Sequence, residues 1–232
     1  MSTRVATDTS LHPLVALGAM KRLIGSPDDT RQVFVILRAL RGRSGVRMFR
    51  RFERTETGAR ILREGRNLLE VLDNHDALAR LTPASLGRAY LDFMMAENLS
   101  AAGLLETARS VDPDIMSDDE RFYVERMRVL HDVGHVVTGY GREPLGELCL
   151  LAFSFGQSGH LGMGLIVLMA MTKFGRGPAA RAARAAVIEG WRRGRRALWL
   201  GVQDWEGLLA EPLAAVREQL RIAAPVRYVG AV

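Results

Sequence analysis

The residues of this chain best suited to chemistry are two histidines and two acids: His131, Asp132, His135 and Glu147. His131 and His135 are four residues apart, so on an α-helix they project from one face, one turn apart. Asp132 lies about 60° from His135 around the same helix, which lets the three side chains converge. Two imidazoles with one or two carboxylates suit zinc, iron or manganese better than magnesium or calcium, which prefer all-oxygen ligands. The spacing therefore predicts a site for one divalent metal ion.

Glu147 is expected to reach this site from the next helix. Pro144 is typical of the first turn of a helix, and Gly139 and Gly141 before it allow the chain to reverse. A histidine pair at this spacing is by itself often structural. Packing alone does not require two acids and a glycine turn beside it, however, and burying such polar groups unpaired is costly. We therefore favour metal binding, with Asp132 open as either a ligand or a group that orients a histidine.

Two arginines shortly before the histidines, Arg126 and Arg128, are candidate catalytic residues. Arg128 is expected to project within about 60° of His131. A guanidinium there could hold a carboxylate or a phosphate of a substrate through two parallel hydrogen bonds. The alternative is that both arginines simply face solvent.

Other residues that could do chemistry are better explained by structure. Cys149 lies in an apolar run, so it is expected in the core, and a single cysteine cannot form an internal disulfide. His160 interrupts an apolar stretch, where we favour a hydrogen-bonded turn residue over one that lines a cavity. His75–Asp76 repeats the His-Asp doublet without a second histidine and is interpreted as a solvated start of a helix. His12 precedes a proline and is interpreted as structural.

Hydrophobic periodicity predicts an all-α protein, an irregular helical bundle with the metal site between two consecutive helices. The clearest helix start is Ser117, because Glu120 three residues later completes a capping box. That helix should carry the histidines and end before Gly139. An apolar stripe at Val33–Leu37 predicts a first helix. Further helices are predicted from about Thr57 to Leu72, from Thr82-Pro83 onward, from near Pro144 onward, from Pro178 to about Leu200, and from Glu211 to Leu220.

The composition is that of a globular protein, with 48% hydrophobic and 25% charged residues in 232. The net charge of +6 does not predict nucleic-acid binding, because no recognition motif accompanies it. Anionic lipid headgroups or a phosphorylated substrate remain candidate partners. An arginine cluster between Trp191 and Trp199 is interpreted as a solvated face, or else as a membrane-surface patch with interfacial tryptophans. This cluster consists of Arg192, Arg193, Arg195 and Arg196.

One stretch raises the question of a membrane span, because no charged residue lies between Glu147 and Lys173 if His160 is neutral. Polar and small residues interrupt it in the middle, so we expect two buried helices joined by a Gly/Ser turn. The interrupting residues are Ser154, Gln157, Ser158, Gly159 and His160.

Residues 1–10 lack the apolar core of a signal peptide, so no secretion signal is expected. The length suits one domain. We expect that domain to span residues 1–232, with 1–25 and 223–232 loosely ordered.

Three stretches in the second half resemble the Coq4 family of coenzyme Q (ubiquinone) biosynthesis proteins. Leu81–Met94 is similar to the family's Ser-Leu-Gly-Arg-x-Tyr helix. Arg126–His135 with Gly146–Leu148 resembles its H-D-x-x-H-x11-E signature. Trp199–Trp205, followed by Pro212–Leu220, is similar to its closing Trp/Gly and Pro-Leu-x-x-x-Arg-x-x-Leu patterns. The resemblance covers about residues 80–222, and the first eighty residues are compatible with it.

The resemblance implies an all-α fold and a role in ubiquinone biosynthesis. It also implies that His131, Asp132, His135 and Glu147 are metal ligands, because each matches the family signature. The reaction it implies is oxidative decarboxylation and hydroxylation at the first ring carbon of a polyprenylated precursor. Arg126 or Arg128 would then orient the substrate carboxylate. The alternative that it implies is a non-catalytic, lipid-binding scaffold that organises the other biosynthetic enzymes at the membrane.

The resemblance further implies partners and a location: a polyprenylated phenolic or quinone lipid, other ubiquinone-biosynthesis enzymes, and a membrane surface. We accordingly expect a cytoplasmic protein peripheral on a bacterial inner membrane. A second copy of the chain is a further candidate partner. The uncharged region from Leu148 to Met171 would form a groove for the polyprenyl tail, or else be ordinary core. The chain departs from the family pattern at Val129 and Val133-Gly134, which alters the surroundings of the metal and removes no ligand.

Overall fold

The computed structural model describes residues 9–26, 29–97 and 117–229, and within these ranges it contains helices and no strand. The all-α prediction is confirmed. The helices are α1 (Pro13–Gly25), α2 (Thr30–Ala39), α3 (Gly42–Glu53), α4 (Glu56–Glu64), α5 (Leu68–Asp73), α6 (His75–Ala79), α7 (Leu86–Ala96), α8 (Asp118–Thr138), α9 (Pro144–Ser158), α10 (Leu161–Lys173), α11 (Pro178–Arg196), α12 (Trp205–Leu208), α13 (Leu213–Gln219) and α14 (Val226–Val229).

The main core surrounds α8, the longest of the described helices. Val133 and Val137, one turn apart on α8, are fully buried. They belong to one apolar cluster with Leu86 and Tyr90 of α7 and with Phe153 of α9. Helices from both halves of the chain therefore pack against the element that carries the histidines.

Helices α9 and α11 approach each other closely because α11 carries glycine one turn apart, at Gly190 and Gly194. A Cβ at Gly194 would overlap the backbone oxygen of Phe153, and one at Gly190 would crowd the backbone oxygen of Cys149. Larger residues would push the two helices apart. This contact fixes the path of α9, the helix that begins with Glu147 in its first turn.

A second apolar cluster joins α1, α2 and one face of α10, which we call the outer layer. Three of its buried members are alanines, Ala16, Ala19 and Ala39, and the other four are the larger Met20, Ile36, Leu40 and Ile166. Small side chains bring the helices close together and bury modest apolar area per residue. The outer layer is therefore stabilised by a smaller core of its own.

Several predicted helix boundaries are confirmed at the site. Ser117 caps α8, since its Oγ accepts a hydrogen bond from the Glu120 amide at 3.2 Å. Gly139 ends the helix in the left-handed conformation, with φ 75°. Pro144 stands in the first turn of α9.

Other predicted boundaries were wrong. The helix expected from Thr57 to Leu72 is broken at Gly65, which has φ 61°, and Asn67 caps the new helix α5. Thr82-Pro83 does not open α7; the cap is Ser85, whose side chain accepts from the Arg88 amide. In both cases a nearby residue with a better capping side chain or a freer backbone starts or ends the helix.

Two further ends differ slightly. Helix α11 stops at Arg196 rather than near Leu200, because Ala197 turns to an extended conformation and Trp199 enters the core. Helix α13 is Leu213–Gln219, shorter at both ends than the range Glu211–Leu220.

The chain ends are more ordered than expected where the structure describes them. Pro13–Gly25 forms α1, and its Ala16, Ala19 and Met20 are buried. Tyr228 of α14 is buried as well. Loose order was inferred from local patterns, whereas burial against distant helices holds both segments. Residues 1–8 and 230–232 lie outside the described part of the chain, and the extent of a single domain stays a prediction.

The uncharged stretch after Glu147 consists of two helices, α9 and α10, separated by Gly159 in the left-handed conformation (φ 63°). The interpretation as two helices joined by a turn is confirmed. Helix α10 is less buried than expected, since Leu161 and Leu168 are 52% and 62% exposed. No helix in the described ranges combines the length and the apolar character that crossing a bilayer requires.

Candidate metal centre

The fold brings His131, His135 and Glu147 together at the junction of α8 and α9. His131 Nε2 and His135 Nε2 are 3.3 Å apart, and Glu147 Oε2 lies 3.3 Å from the former and 3.5 Å from the latter. Two ligands on a tetrahedral zinc ion, each at about 2.0–2.1 Å, are separated by about 3.3 Å. The three donor atoms therefore have the spacing of one face of a tetrahedral site, and the residues fit a metal ion.

A backbone contact orients His135. Its Nδ1 lies 3.0 Å from the carbonyl oxygen of Tyr140, which can only accept a hydrogen bond. Nδ1 must therefore carry the proton, which leaves the lone pair of Nε2 pointing at Glu147 and His131. The ring of Phe93 from α7 stacks on the His135 ring at 5.6 Å between centroids. The tautomer and the ring plane of His135 are thus both fixed.

Electrostatics favour an ionised Glu147. Burial alone would raise the pKa of Glu147, but the imidazoles of His131 and His135 beside its carboxylate hold that pKa well below its ordinary value. Burial would lower the pKa of His131, and the hydrogen bond with Glu147 and its negative charge raise it instead. Arg142 Nε donates to the other carboxylate oxygen, Glu147 Oε1, at 3.3 Å. A divalent cation requires deprotonated ligands: the ionised Glu147 already meets this requirement, and His131 would release its proton when a metal binds.

Tyr228 fixes the turn between the two ligand-bearing helices. Its hydroxyl accepts a hydrogen bond from the Gly141 amide at 2.8 Å and donates one to Glu143 Oε1 at 2.6 Å. The same Glu143 oxygen caps α9 by accepting from the Gly146 amide at 2.7 Å. The α14 helix therefore holds the segment that sets the distance between His135 and Glu147.

Sequence reasoning missed Tyr228 and Arg142. Tyr228 lies in a segment expected to be loosely ordered, and nothing in the local pattern links it to a turn 85 positions earlier. Arg142 lies in the sequence between His135 and Glu147. The only local sign of its role was that a basic residue stands close to two acidic residues, Glu143 and Glu147. Neither contact could be inferred from helical periodicity.

Asp132 is next to His131 in the sequence but does not belong to the group of donor atoms that could share a metal ion. Among the described residues, that group consists of His131, His135 and Glu147. The Asp132 side chain is 5% exposed and borders the same cavity as His131. Burial raises the pKa of Asp132, while the neighbouring histidines and Arg142 oppose that rise. This placement favours a role in tuning the charge of the site, and direct ligation would require the side chain to move.

The two candidate arginines lie in different surroundings. Arg126 is buried in a bidentate ion pair with Glu206, at 2.7 and 2.8 Å, on the side of α8 away from the histidines. Arg128 borders the cavity that contains His131, with its guanidinium 5.7 Å from the centre of the Phe34 ring. Arg126 thus anchors the region around α12 to α8, and only Arg128 can face a ligand at the site.

The site opens into a cavity of about 1890 Å³. Pockets for drug-sized ligands are usually about 300–1000 Å³, so this one suits a longer molecule. Its walls are mainly apolar, and both the main core and the outer layer contribute to them. Representative lining residues are Met20, Leu37, Met127, Leu151, Ile166 and Met169, and the metal-site residues that line it are His131, Asp132, Arg142 and Glu147.

The cysteine and two other histidines of the chain lie in surroundings that can be compared with the predictions. Cys149 is fully buried, which confirms a core residue, and burial raises its thiol pKa to about 12. His160 combines both interpretations, since its Nδ1 accepts from the Gly162 amide at 3.1 Å and its ring lines the cavity. His75 is exposed at the start of α6, as expected.

The arginine cluster on α11 does not form one solvated face. Arg193 is buried and donates to the carbonyl oxygens of Thr138 and Ala223. Trp199 is also buried, which leaves Trp191 as the exposed tryptophan of the pair. Arg193 faces inward because its guanidinium donates to a carbonyl oxygen at the C-terminal end of α8, where a positive charge is favoured. The sequence pattern alone did not show which of the four arginines has this role.

Comparison with known proteins places the chain among proteins of ubiquinone synthesis. Residues 11–226 match the model of the family described as coenzyme Q (ubiquinone) biosynthesis protein Coq4. The mitochondrial ubiquinone biosynthesis protein coq4 of Schizosaccharomyces japonicus is 29% identical over 72% of this chain and 68% of its own length. The COQ4 homolog of Rattus norvegicus, also mitochondrial, is 32% identical over 74% of this chain and 63% of its own length.

The fold has a counterpart among solved structures. A crystal structure of a Nostoc punctiforme protein, described as a ubiquinone biosynthesis protein, superposes with a TM-score of 0.68 at 21% identity. The match covers 93% of this chain and all of that one. The matched region spans 68% of the Schizosaccharomyces japonicus protein, 59% of the Botryotinia fuckeliana protein and 63% of the Rattus norvegicus protein, so the chain covers only part of the length of these relatives.

Proposed function

Because the chain belongs to the Coq4 family of coenzyme Q (ubiquinone) biosynthesis proteins, we propose that it acts there as a metal-dependent enzyme on a polyprenylated quinone precursor. The reaction is an oxidative replacement of the carboxyl group on the first ring carbon by a hydroxyl group: the bond from the ring to the carboxyl carbon breaks with release of CO2, a ring C–O bond forms, and an external two-electron oxidant such as dioxygen accepts the electrons. One observation carries the proposal. Three donor atoms with the spacing of a metal site lie in the wall of a large apolar cavity.

The residues divide the work by position. His131, His135 and Glu147 would hold one zinc, iron or manganese ion, with the carboxyl group of Asp132 beside them at the wall of the same cavity. A bound divalent ion supplies Lewis acidity to a carboxylate or a ring oxygen and leaves a coordination position for a reactant. Arg128 orients the substrate carboxylate through paired hydrogen bonds. Apolar side chains of the cavity, such as Met127 and Met169, exclude water along the polyprenyl tail.

The test is turnover of a carboxylated prenylphenol by purified protein. We expect His131→Ala to lose both the bound metal and product formation, while thermal unfolding and binding of the prenylated lipid stay close to wild type. His75→Ala is the matched control, because His75 is exposed on α6. If His131→Ala still supports quinone production, the proposal of catalysis at this site is wrong.

The alternative is a non-catalytic scaffold that binds the lipid and presents it to other enzymes of the pathway. The size of the cavity supports it, because a cavity of about 1890 Å³ extends far beyond three ligands and would hold a lipid without any reaction. A scaffold predicts that His131→Ala leaves quinone synthesis intact in cells, whereas variants that fill the cavity abolish it. Under either function the proposed partners are a prenylated phenolic lipid, other enzymes of the pathway, a second copy of the chain, and the surface of a bacterial inner membrane.

A further inference from the structure

Helix α1 exposes large apolar side chains along one stripe. Leu14, Leu17 and Ile24 are 82%, 55% and 42% exposed. With Lys21 they lie within about 80° of one another around the helix, opposite the alanines that pack on α2. Single exposed leucines are ordinary on a protein surface, whereas a row of them beside a lysine is typical of a helix that lies on a membrane surface.

The charges around this stripe have one sign. Within α1, α2 and α10 there is no aspartate or glutamate. The basic residues of these helices are Lys21, Arg22, Arg31, Arg38 and Lys173. Such a surface is complementary to anionic phospholipids, which attract basic residues within a Debye length. Two copies of it would repel each other, which argues against self-association through this face.

The stripe reaches the cavity at Ile24, which is 42% exposed and lines the cavity that contains the candidate metal centre. Val15 of α1 lines the cavity as well, but it lies about 100° from Leu14 around the helix, outside the stripe. Lys173 at the end of α10 lines it as well. Ile24 therefore joins one end of the stripe to the apolar lining of the cavity, which offers a lipid tail an apolar route between them.

We infer that the exposed stripe of α1, Leu14, Leu17, Lys21 and Ile24, docks on an anionic lipid bilayer and that the lipid substrate enters the cavity along its edge. This inference rests on the proposed function in one respect, because it takes the occupant of the cavity to be a lipid. It adds the surface that meets the membrane and the route from the bilayer to the metal centre. The competing surface is the face of α11 that contains Ile188 and Trp191, which are 39% and 36% exposed.

The experiment is flotation of the full-length protein with vesicles of phosphatidylcholine containing about one third phosphatidylglycerol, and with vesicles of phosphatidylcholine alone. We expect wild type to bind the anionic vesicles, and added salt to weaken binding. Leu14→Ser/Leu17→Ser should bind at least about tenfold more weakly at unchanged thermal stability, because exposed substitutions rarely affect folding. Ile188→Ser/Trp191→Ser is the matched control on α11 and should bind as wild type does.

Three outcomes overturn the inference: wild type does not bind anionic vesicles; the α11 variant rather than the α1 variant loses binding; or the α1 variant changes only self-association in analytical ultracentrifugation, which would make the stripe an interface between copies. Turnover separates this inference from the proposed function. The α1 variant should lose turnover of a vesicle-embedded substrate and retain turnover of a short-tailed substrate in detergent, whereas His131→Ala should lose both. If His131→Ala retains both while the α1 variant loses vesicle binding, the proposed catalysis fails and the docking surface stands.

Discussion

The candidate metal centre and the outer layer line the same cavity and are stabilised by different interactions. Around the metal centre, Tyr228 bonds both the Gly141 amide and Glu143, and Tyr140 orients His135. In the outer layer the described side-chain hydrogen bonds between α1 and α2 run from Arg22 through Gln32 to Asp29. Its core is otherwise built from alanines and a few larger apolar residues.

The difference agrees with the proposed function of each region. Three donor atoms can share a metal ion only if their separations hold to a few tenths of an ångström, and directional hydrogen bonds provide that precision. A long apolar ligand needs an apolar surface and room to enter, and a small core with few directional bonds opens at a lower free energy. Rigidity is concentrated where ligand spacing matters, and apolar surface where a lipid is expected to pass.

The largest expected effect tests the rigidity of the metal turn. An alanine at Gly146 places a Cβ against the backbone oxygen of Gly141, where neither helix nor turn has room. We expect Gly146→Ala to lower the free energy of unfolding by about 3 kcal/mol and to weaken Zn²⁺ binding, measured by denaturation and by chelator competition. Gly134→Ala is the control on α8, because its Cβ would meet only the end of the Leu150 side chain at 3.3 Å. If Gly146→Ala is as stable as wild type, the turn between α8 and α9 can move to accommodate the added Cβ and is not rigid.

The second effect concerns the outer layer, where His160 caps α10 as a hydrogen-bond acceptor. Burial, together with the positive charge of Arg41, lowers the pKa of His160 to about 4. As the pH falls, the unfolded chain therefore binds a proton at His160 before the folded protein does. The contribution of neutral His160 to the free energy of unfolding is complete above about pH 6.5 and is lost as the pH falls towards 4.

We expect His160 to contribute roughly 2 kcal/mol to the stability lost between about pH 7.5 and 4.5. His160→Asn keeps a capping side chain that does not titrate and should flatten this part of the profile. Urea denaturation across that range measures it, and an unchanged profile in the variant would assign the pH dependence to other groups. His75→Asn, at an exposed histidine, serves as the control.

The smallest effect separates positioning from folding at the metal turn. Tyr228→Phe removes the hydroxyl that joins Gly141 to Glu143 and should cost about 1 kcal/mol of stability. Zn²⁺ affinity should fall by about tenfold, as expected when a group that orients ligands is lost. Tyr90→Phe is the control, because the buried Tyr90 hydroxyl has no hydrogen-bond partner among the described residues. Equal Zn²⁺ affinity in Tyr228→Phe and wild type would reduce Tyr228 to a packing residue.

Most of the secondary structure near the site was predictable, because its determinants are local. Ser117 and Glu120 start α8, Gly139 ends it, and Pro144 begins α9, each within a few residues of the boundary it sets. The boundaries that were wrong, at Gly65 and at Ser85, involve competition between neighbouring capping or turn residues. Local patterns rank such neighbours poorly, because the tertiary contacts that decide between them are not visible in the sequence.

By itself, the sequence determined which residues can bind a metal and which face of α8 presents them, since a four-residue spacing on a helix has one geometric outcome. Tertiary structure alone decided how they meet. The contacts of Tyr228 with Glu143 and of Arg126 with Glu206 span 85 and 80 positions. They gave Tyr228 a place at the site and removed Arg126 from it. Helical periodicity is a short-range property, whereas convergence of side chains depends on how distant helices pack, and that packing also opened the cavity beside the metal centre.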